Sequence, residues 1–119
     1  MDIFCKIING EIPSLTVFED DFVKVFLDVN PDVNGHLLIV PKKHITNIYD
    51  MDSTTLIHIF DVAKKMADML KEKLGADGVT FVQNNGTVQE VKHFHLHIKP
   101  HYSDKQELFD VKDVFLQLK

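Results

Sequence analysis

The sequence predicts an α+β fold, an antiparallel five-stranded meander sheet with one long helix packed on a face. Three observations carry this expectation. β-rich segments bounded by turn residues occupy residues 16–43 and 79–100. Between them, apolar residues recur every three or four positions from Ser53 to Leu74. The last β-rich segment, "HFHLHIKP" (93–100), alternates strictly between histidine and apolar side chains. The chain of 119 residues is 45% hydrophobic with nine Phe, enough to bury a real core, so residues 1–119 read as a single globular domain.

Each element has its own signal. "TVFED" (16–20) and "FVKVFLD" (22–28) flank an acidic Glu19-Asp20-Asp21 turn and read as a hairpin. "GHLLIVPKK" (35–43) reads as a third strand stopped at Pro41. The helix has Asp52 or Ser53 as N-cap and Gly75 as its stop, with a core stripe of Leu56, Ile59, Phe60, Ala63, Met66, Ala67, Leu70 and Leu74. Ile57 and Met69 lie off that stripe, and such surplus apolar surface points to a partner. "VTFVQNNG" (79–86) and "HFHLHIKP" are the last two strands, joined by a loop from Asn84 to about Lys92. The tail "ELFDVKDVFLQLK" has Leu108, Val111, Phe115 and Leu118 at helical spacing, and the role of residues 104–119 is left open.

Composition narrows the function. A formal charge of −5 argues against broad binding of a nucleic-acid duplex while leaving room for a local nucleotide site. No apolar run approaches a membrane span, "MDIFCKIINGEIP" lacks a secretory pattern, and a single Cys fits a reducing compartment, so a cytoplasmic location is expected. In an extended strand His93, His95 and His97 would line one face about 6 to 7 Å apart. A solvated polar face has no reason to repeat imidazole. Metal chelation and nucleophilic catalysis both remain, and spacing does not separate them.

Taken with its surroundings, the strand resembles the signature of the histidine triad (HIT) nucleotide-binding superfamily, His-φ-His-φ-His-φ-φ with φ apolar. "HFHLHI" follows it through six positions, and "IFCKIINGEIPSLTVFEDD", "FLDVNPDVNGHLLIVPKKHI" and "NNG" resemble the accompanying segments of the Hint branch. The likeness runs from about Asp2 to His101. It implies a HIT-like fold that dimerises through the long helix into a continuous sheet. It also implies hydrolysis at the α-phosphate of purine nucleotides through a nucleotidyl-histidine. The expected activity is that of a nucleoside phosphoramidase releasing AMP or GMP, with cleavage of dinucleoside polyphosphates or a regulatory role with vestigial turnover as alternatives.

By the same resemblance His95 is the nucleophile, His97 stabilises charge and assists proton transfer to the leaving group, and His93 and His36 orient the cluster. Asp28 takes the ribose hydroxyls, since an ionised carboxylate can accept from both. Ile3, Phe4, Ile7, Ile12, Phe26 and Val29 surround the base, and Asn84 and Gln89 meet phosphate oxygens. No cofactor is required. Some bacterial relatives hold a structural zinc at a corresponding place, which here is Asp2, Cys5, His44 and His93, with a harder oxygen where a thiolate stands in those relatives. Two departures stand out. The loop "TVQEVK" between Gly86 and His93 is shorter than the family form and carries Glu90 where a hydroxyl is expected, and Lys99 replaces the last φ. By strand parity Lys99 shares the histidine face.

Overall fold

The computed structural model describes residues 1–119. Its elements are helix α1 (Ile3–Ile8), strands β1 (Thr16–Glu19), β2 (Val23–Leu27) and β3 (Leu37–Pro41), helix α2 (Ser53–Leu74), strands β4 (Gly78–Val82) and β5 (Leu96–His101), and helix α3 (Val111–Leu118). All strand pairs are antiparallel, in the order β1-β2-β3-β5-β4. The meander therefore holds only through β3. The last strand enters between β3 and β4, which makes the histidine-bearing strand central and leaves β4 at an edge.

The sheet is apolar on both faces, as the unbroken burial of Leu37–Pro41 requires. Val23, Val25, Leu27, Leu37, Ile39, Leu96 and Ile98 pack beneath α2. Phe26, Leu38 and Val40 point the other way, onto Phe4 and Ile7 of α1. Since side chains alternate along a strand, burying Leu96 and Ile98 under α2 sends His97 and Lys99 to the α1 side. That alternation delivers the polar site to one face of the sheet.

Helix α2 has the expected ends. The Asp52 carboxylate accepts from Thr55 N at 2.9 Å, and at the left-handed Gly75 (φ 72°) the chain turns back so that Gly75 N donates to Lys71 O and Ala76 N to Leu70 O. The buried stripe is Ile59, Val62, Ala63, Met66 and Leu70. Phe60, expected on it, is 43% exposed and packs edge-on against Phe81 of β4, while Val62 takes the core position. A stripe wider than the core can cover left the choice between them to packing.

The two short helices were not expected as such. In α1, Asp2 caps Cys5 N at 2.8 Å and Gly10, at φ 79°, closes the turn that follows. Its Ile-rich hexamer is too short for propensity to declare, and the burial of Phe4 and Ile7 holds it in place. In α3, Val114 and Leu118 are buried in the α2 core, each removal from water stabilising by roughly 1.5–3 kcal/mol. Asn34 straps the tail down: its amide nitrogen donates to Glu107 O at 2.7 Å and its carbonyl accepts from Phe109 N at 2.9 Å. Gly35 precedes His36 at φ +86°, where an added Cβ would stand 2.7 Å from Leu74. Only glycine lets the chain turn there so close to α2. No helix is long and apolar enough to cross a membrane.

Candidate active site

β5 begins at Leu96, so His93 and His95 precede the ladder rather than belong to it. The approach is held instead by Phe94 N, which donates to Ile45 O at 2.7 Å beyond the end of β3. β4 likewise stops at Val82 rather than reaching Gly86, because Gln83 and Asn85 bond to each other, and Asn85 Oδ1 accepts from Ile48 N.

The hydrogen bonds assign the imidazole protons. His95 Nδ1 lies 2.8 Å from the carbonyl of His93, which can only accept, so Nδ1 carries the proton and Nε2 keeps a bare lone pair. His36 Nδ1 accepts from the Asp32 backbone N–H at 3.1 Å. Its proton is therefore on Nε2, which donates to His97 Nδ1 at 2.9 Å. His97 in turn carries its proton on Nε2. His93 Nε2 donates to Pro41 O at 2.9 Å, and its Nδ1 lies 3.3 Å from Asp2 Oδ2.

The assignments of His36, His95 and His97 need neutral rings, and the surroundings favour them. Burial lowers the pKa of His36 and of His95 below the usual histidine value. His97 falls to about 4, first through burial and then through the neighbouring His95 and His36. Near neutral pH the site thus presents one bare nitrogen, His95 Nε2, and one N–H, His97 Nε2, on rings whose centroids are 5.0 Å apart.

Two clefts meet at these rings. One, of about 220 Å³, has apolar walls from Ile3, Phe4, Ile7, Phe26, Val29 and Leu38. The other, of about 370 Å³, is almost wholly polar and includes Asp32, His36, Asn84 and Lys99. Asp28, Asn30, Glu90, His95 and His97 line both and form their common wall. Five of the six apolar residues expected around a base line the apolar cleft. Ile12 does not, and packs behind it against the Phe4 cluster. Asp28 and Asn84 are in place, but Gln89 is not at the cleft: its buried amide donates to Thr46 O and accepts from Gly86 N. The shortened loop is held from within by that side chain. Lys99 faces the site as parity predicts, with its ammonium 2.7 Å from Asp32 rather than on Glu90.

Asp32 and Leu38 escaped the sequence reading for different reasons. Asp32 orients His36 through its backbone N–H, which no residue type betrays, and Leu38 looks like any core residue in an apolar strand.

Behind His93 a second cluster gathers Asp2, Cys5, His44 and His93, whose donor atoms all lie within 4.8 Å of one another. Cys5 Sγ is 3.4 Å from His44 Nδ1 and 3.5 Å from His93 Nδ1, and Asp2 Oδ2 is 3.0 Å from His44 Nδ1. Tetrahedral zinc with bonds of roughly 2.0–2.3 Å separates its ligands by roughly 3.3–3.8 Å, so the spacing fits. His93 Nδ1 faces the cluster, with its other nitrogen pinned by Pro41 O as a metal-binding imidazole usually is. Burial and the Asp2 carboxylate raise the Cys5 thiol above its usual pKa, so a cation would have to displace its proton.

Residues 9–104 match the HIT domain family model. An uncharacterised HIT-like protein of Methanocaldococcus jannaschii is 49% identical over 98% of this chain and 93% of its own length. The adenosine 5'-monophosphoramidase HNT1 of Saccharomyces cerevisiae is 39% identical over 89% of this chain and 66% of its own. Among solved structures, a zinc-bound histidine triad family protein from Mycobacterium smegmatis superposes with a TM-score of 0.90 at 30% identity, covering 98% of this chain and 88% of that one. In sequence and in fold, the chain belongs to the HIT domain family.

Proposed function

We propose that this protein is a nucleotide hydrolase that attacks the α-phosphate of purine nucleotide conjugates with His95, releasing AMP or GMP from a nucleoside phosphoramidate. One observation carries the reading: a bare His95 Nε2 stands beside a His97 Nε2–H on the wall shared by an apolar and a polar cleft. The name of the yeast relative, an AMP phosphoramidase, favours an amine leaving group.

In the first step His95 Nε2 forms a bond to phosphorus and the phosphorus–nitrogen bond to the leaving amine breaks. The positive charge that develops on the ring is met by the His93 carbonyl at Nδ1–H. A neutral imidazole N–H is too weak an acid to surrender its proton. His97 therefore acts as a hydrogen-bond donor to a phosphoryl oxygen, and the departing amine takes its proton from solvent in the open polar cleft. In the second step water attacks phosphorus, the electron pair returns to His95 Nε2, and a proton is released with the nucleoside monophosphate. Asp28 holds the ribose, Asn84 lies on the phosphate side, and the Phe4, Ile7 and Phe26 wall receives the base.

His95→Ala should reduce monophosphate release on the order of a thousandfold or more while nucleotide binding by calorimetry survives. Rapid quenching of wild type with labelled substrate should trap label on histidine. Turnover near wild type in the variant would remove His95 as nucleophile.

The pH dependence has a definite sign. In the unfolded chain His97 takes up a proton below about pH 6.5, whereas in the fold it resists until about 4. The unfolded state binds more protons between those values, so stability falls as pH drops from about 6.5 to about 4. Urea unfolding across this window should show the loss, and His97→Gln should flatten part of it. Parallel curves for the two proteins would contradict the assignment.

Asp2, Cys5, His44 and His93 are read as a structural zinc site, which when filled would cross-link α1 to the approach of β5. The zinc-bound relative supports this. Purified protein should carry close to one equivalent of zinc, and chelator or Cys5→Ser should lower the melting temperature by several degrees. Metal-free protein that melts identically with and without chelator would reject the site.

The working form is read as a homodimer joined through α2 and the β4 edge. Phe60, Phe81 and Ile57 are exposed there, beside a strand with one open side. Light scattering at low micromolar concentration should give about twice the chain mass of 13.7 kDa. A fully active monomer would overturn this.

A further inference from the structure

The two clefts divide a substrate at its phosphorus. With the base against Phe4 and Phe26, and phosphorus at His95, the leaving group has only the polar cleft to occupy. The charge of that cleft is therefore a property of leaving-group recognition. With its imidazoles neutral, it holds the carboxylates of Asp28, Asp32 and Glu90 against one cation, Lys99. The Lys99 ammonium is already engaged by Asp32 at 2.7 Å. Asp28 accepts from Asn30 N at 2.9 Å and faces His36 at 3.6 Å. Glu90 has no cationic partner. Lys92, the nearest lysine in sequence, directs its ammonium to the carbonyls of Gly86 and Gln89 instead. Glu90 thus stands on the common wall as an unneutralised carboxylate beside the path of the departing group.

We infer that the polar cleft is a charge-selective leaving-group site in which Glu90 favours amines bearing a second positive charge and disfavours leaving groups that carry carboxylate or phosphate. The inference rests on the hydrolase reading and adds a specificity determinant to it. The physical reason is Coulombic. An ammonium in the cleft gains attraction from an exposed carboxylate that no cation of the protein offsets, whereas a further phosphate meets two net negative charges at close range, an effect that added salt screens. The Gln89 contacts to Thr46 O and Gly86 N hold the loop in which Glu90 sits, so the carboxylate is presented from a fixed backbone.

The test uses three adenosine 5'-phosphoramidates whose leaving amines are alike in length and end in an ammonium, a hydroxyl or a carboxylate, together with diadenosine tetraphosphate. For wild type at low salt, kcat/KM should fall in that order, with the ammonium compound about tenfold or more above the carboxylate compound, and the tetraphosphate lowest. Glu90→Gln should shrink the ammonium-to-carboxylate ratio about three- to tenfold, Lys99→Met should enlarge it, and raising the salt should compress it in wild type. An unchanged ratio in Glu90→Gln, or no charge order in a wild type that turns over all three phosphoramidates, overturns the charge selection and leaves the hydrolase reading standing. Release of no monophosphate from any substrate by wild type overturns the hydrolase reading itself, and this inference with it.

Discussion

A neutral imidazole has one N–H to give and one lone pair to satisfy, and in this protein the backbone decides which nitrogen does which. A carbonyl can only accept and a backbone N–H can only donate, so a single main-chain contact sets the tautomer of the ring it touches. The His93 carbonyl does this for His95 and the Asp32 N–H for His36, which passes its choice to His97, while Pro41 O holds the His93 ring by its Nε2. No buried side-chain polar atom is left without a partner. An unpaired one would cost about 1–3 kcal/mol, so the arrangement is held by the same requirement that stabilises the fold.

The sheet turns that local logic into a site. β5 is flanked by β3 and β4, and its apolar residues are committed to the α2 face, so its polar residues have one destination. Burial there does two things to the rings. It removes water, which makes protonation costly and keeps the lone pair of His95 Nε2 free. It also fixes the rings against Phe4, whose centroid lies 4.9 Å from that of His95. The free lone pair and the rigidity of the rings thus have a common origin in the depth of the cluster.

Much of this was legible in the sequence, and the misses have physical causes. α2 runs from Ser53 to Leu74 as read, because its caps and its spacing are local features. The five strands were legible too, whereas their order was not: insertion of β5 beside β3 is a long-range choice that alternation alone does not encode. The histidines announced themselves by a pattern that no packing requirement explains. Gln89 misled because a side-chain amide serves equally well to bind a phosphate or to brace a loop, and only the short distance to Thr46 O decides between them. Asp32 was invisible since its contribution to His36 comes from its main chain. Helix α3 showed part of its apolar spacing, in Phe115 and Leu118, whereas Leu108 lies outside it and exposed, the buried Val114 was not read, and its strap depends on Asn34, far away in sequence.

The Asp2 corner shows how tightly the two halves of the site are joined. One carboxylate oxygen caps α1 at Cys5 N while the other lies against His44 and His93. The helix begun by that cap carries Phe4 and Ile7, which form the apolar cleft wall, and Phe4 packs edge-on against both His93 and His95. His93 in its turn holds His95 through its carbonyl. A displacement of Asp2 would therefore reach the apolar cleft wall through the first turns of α1, and the His95 ring through a single peptide unit. Both routes converge on the His95 ring, so the geometry of the corner cannot change without being felt where the lone pair points.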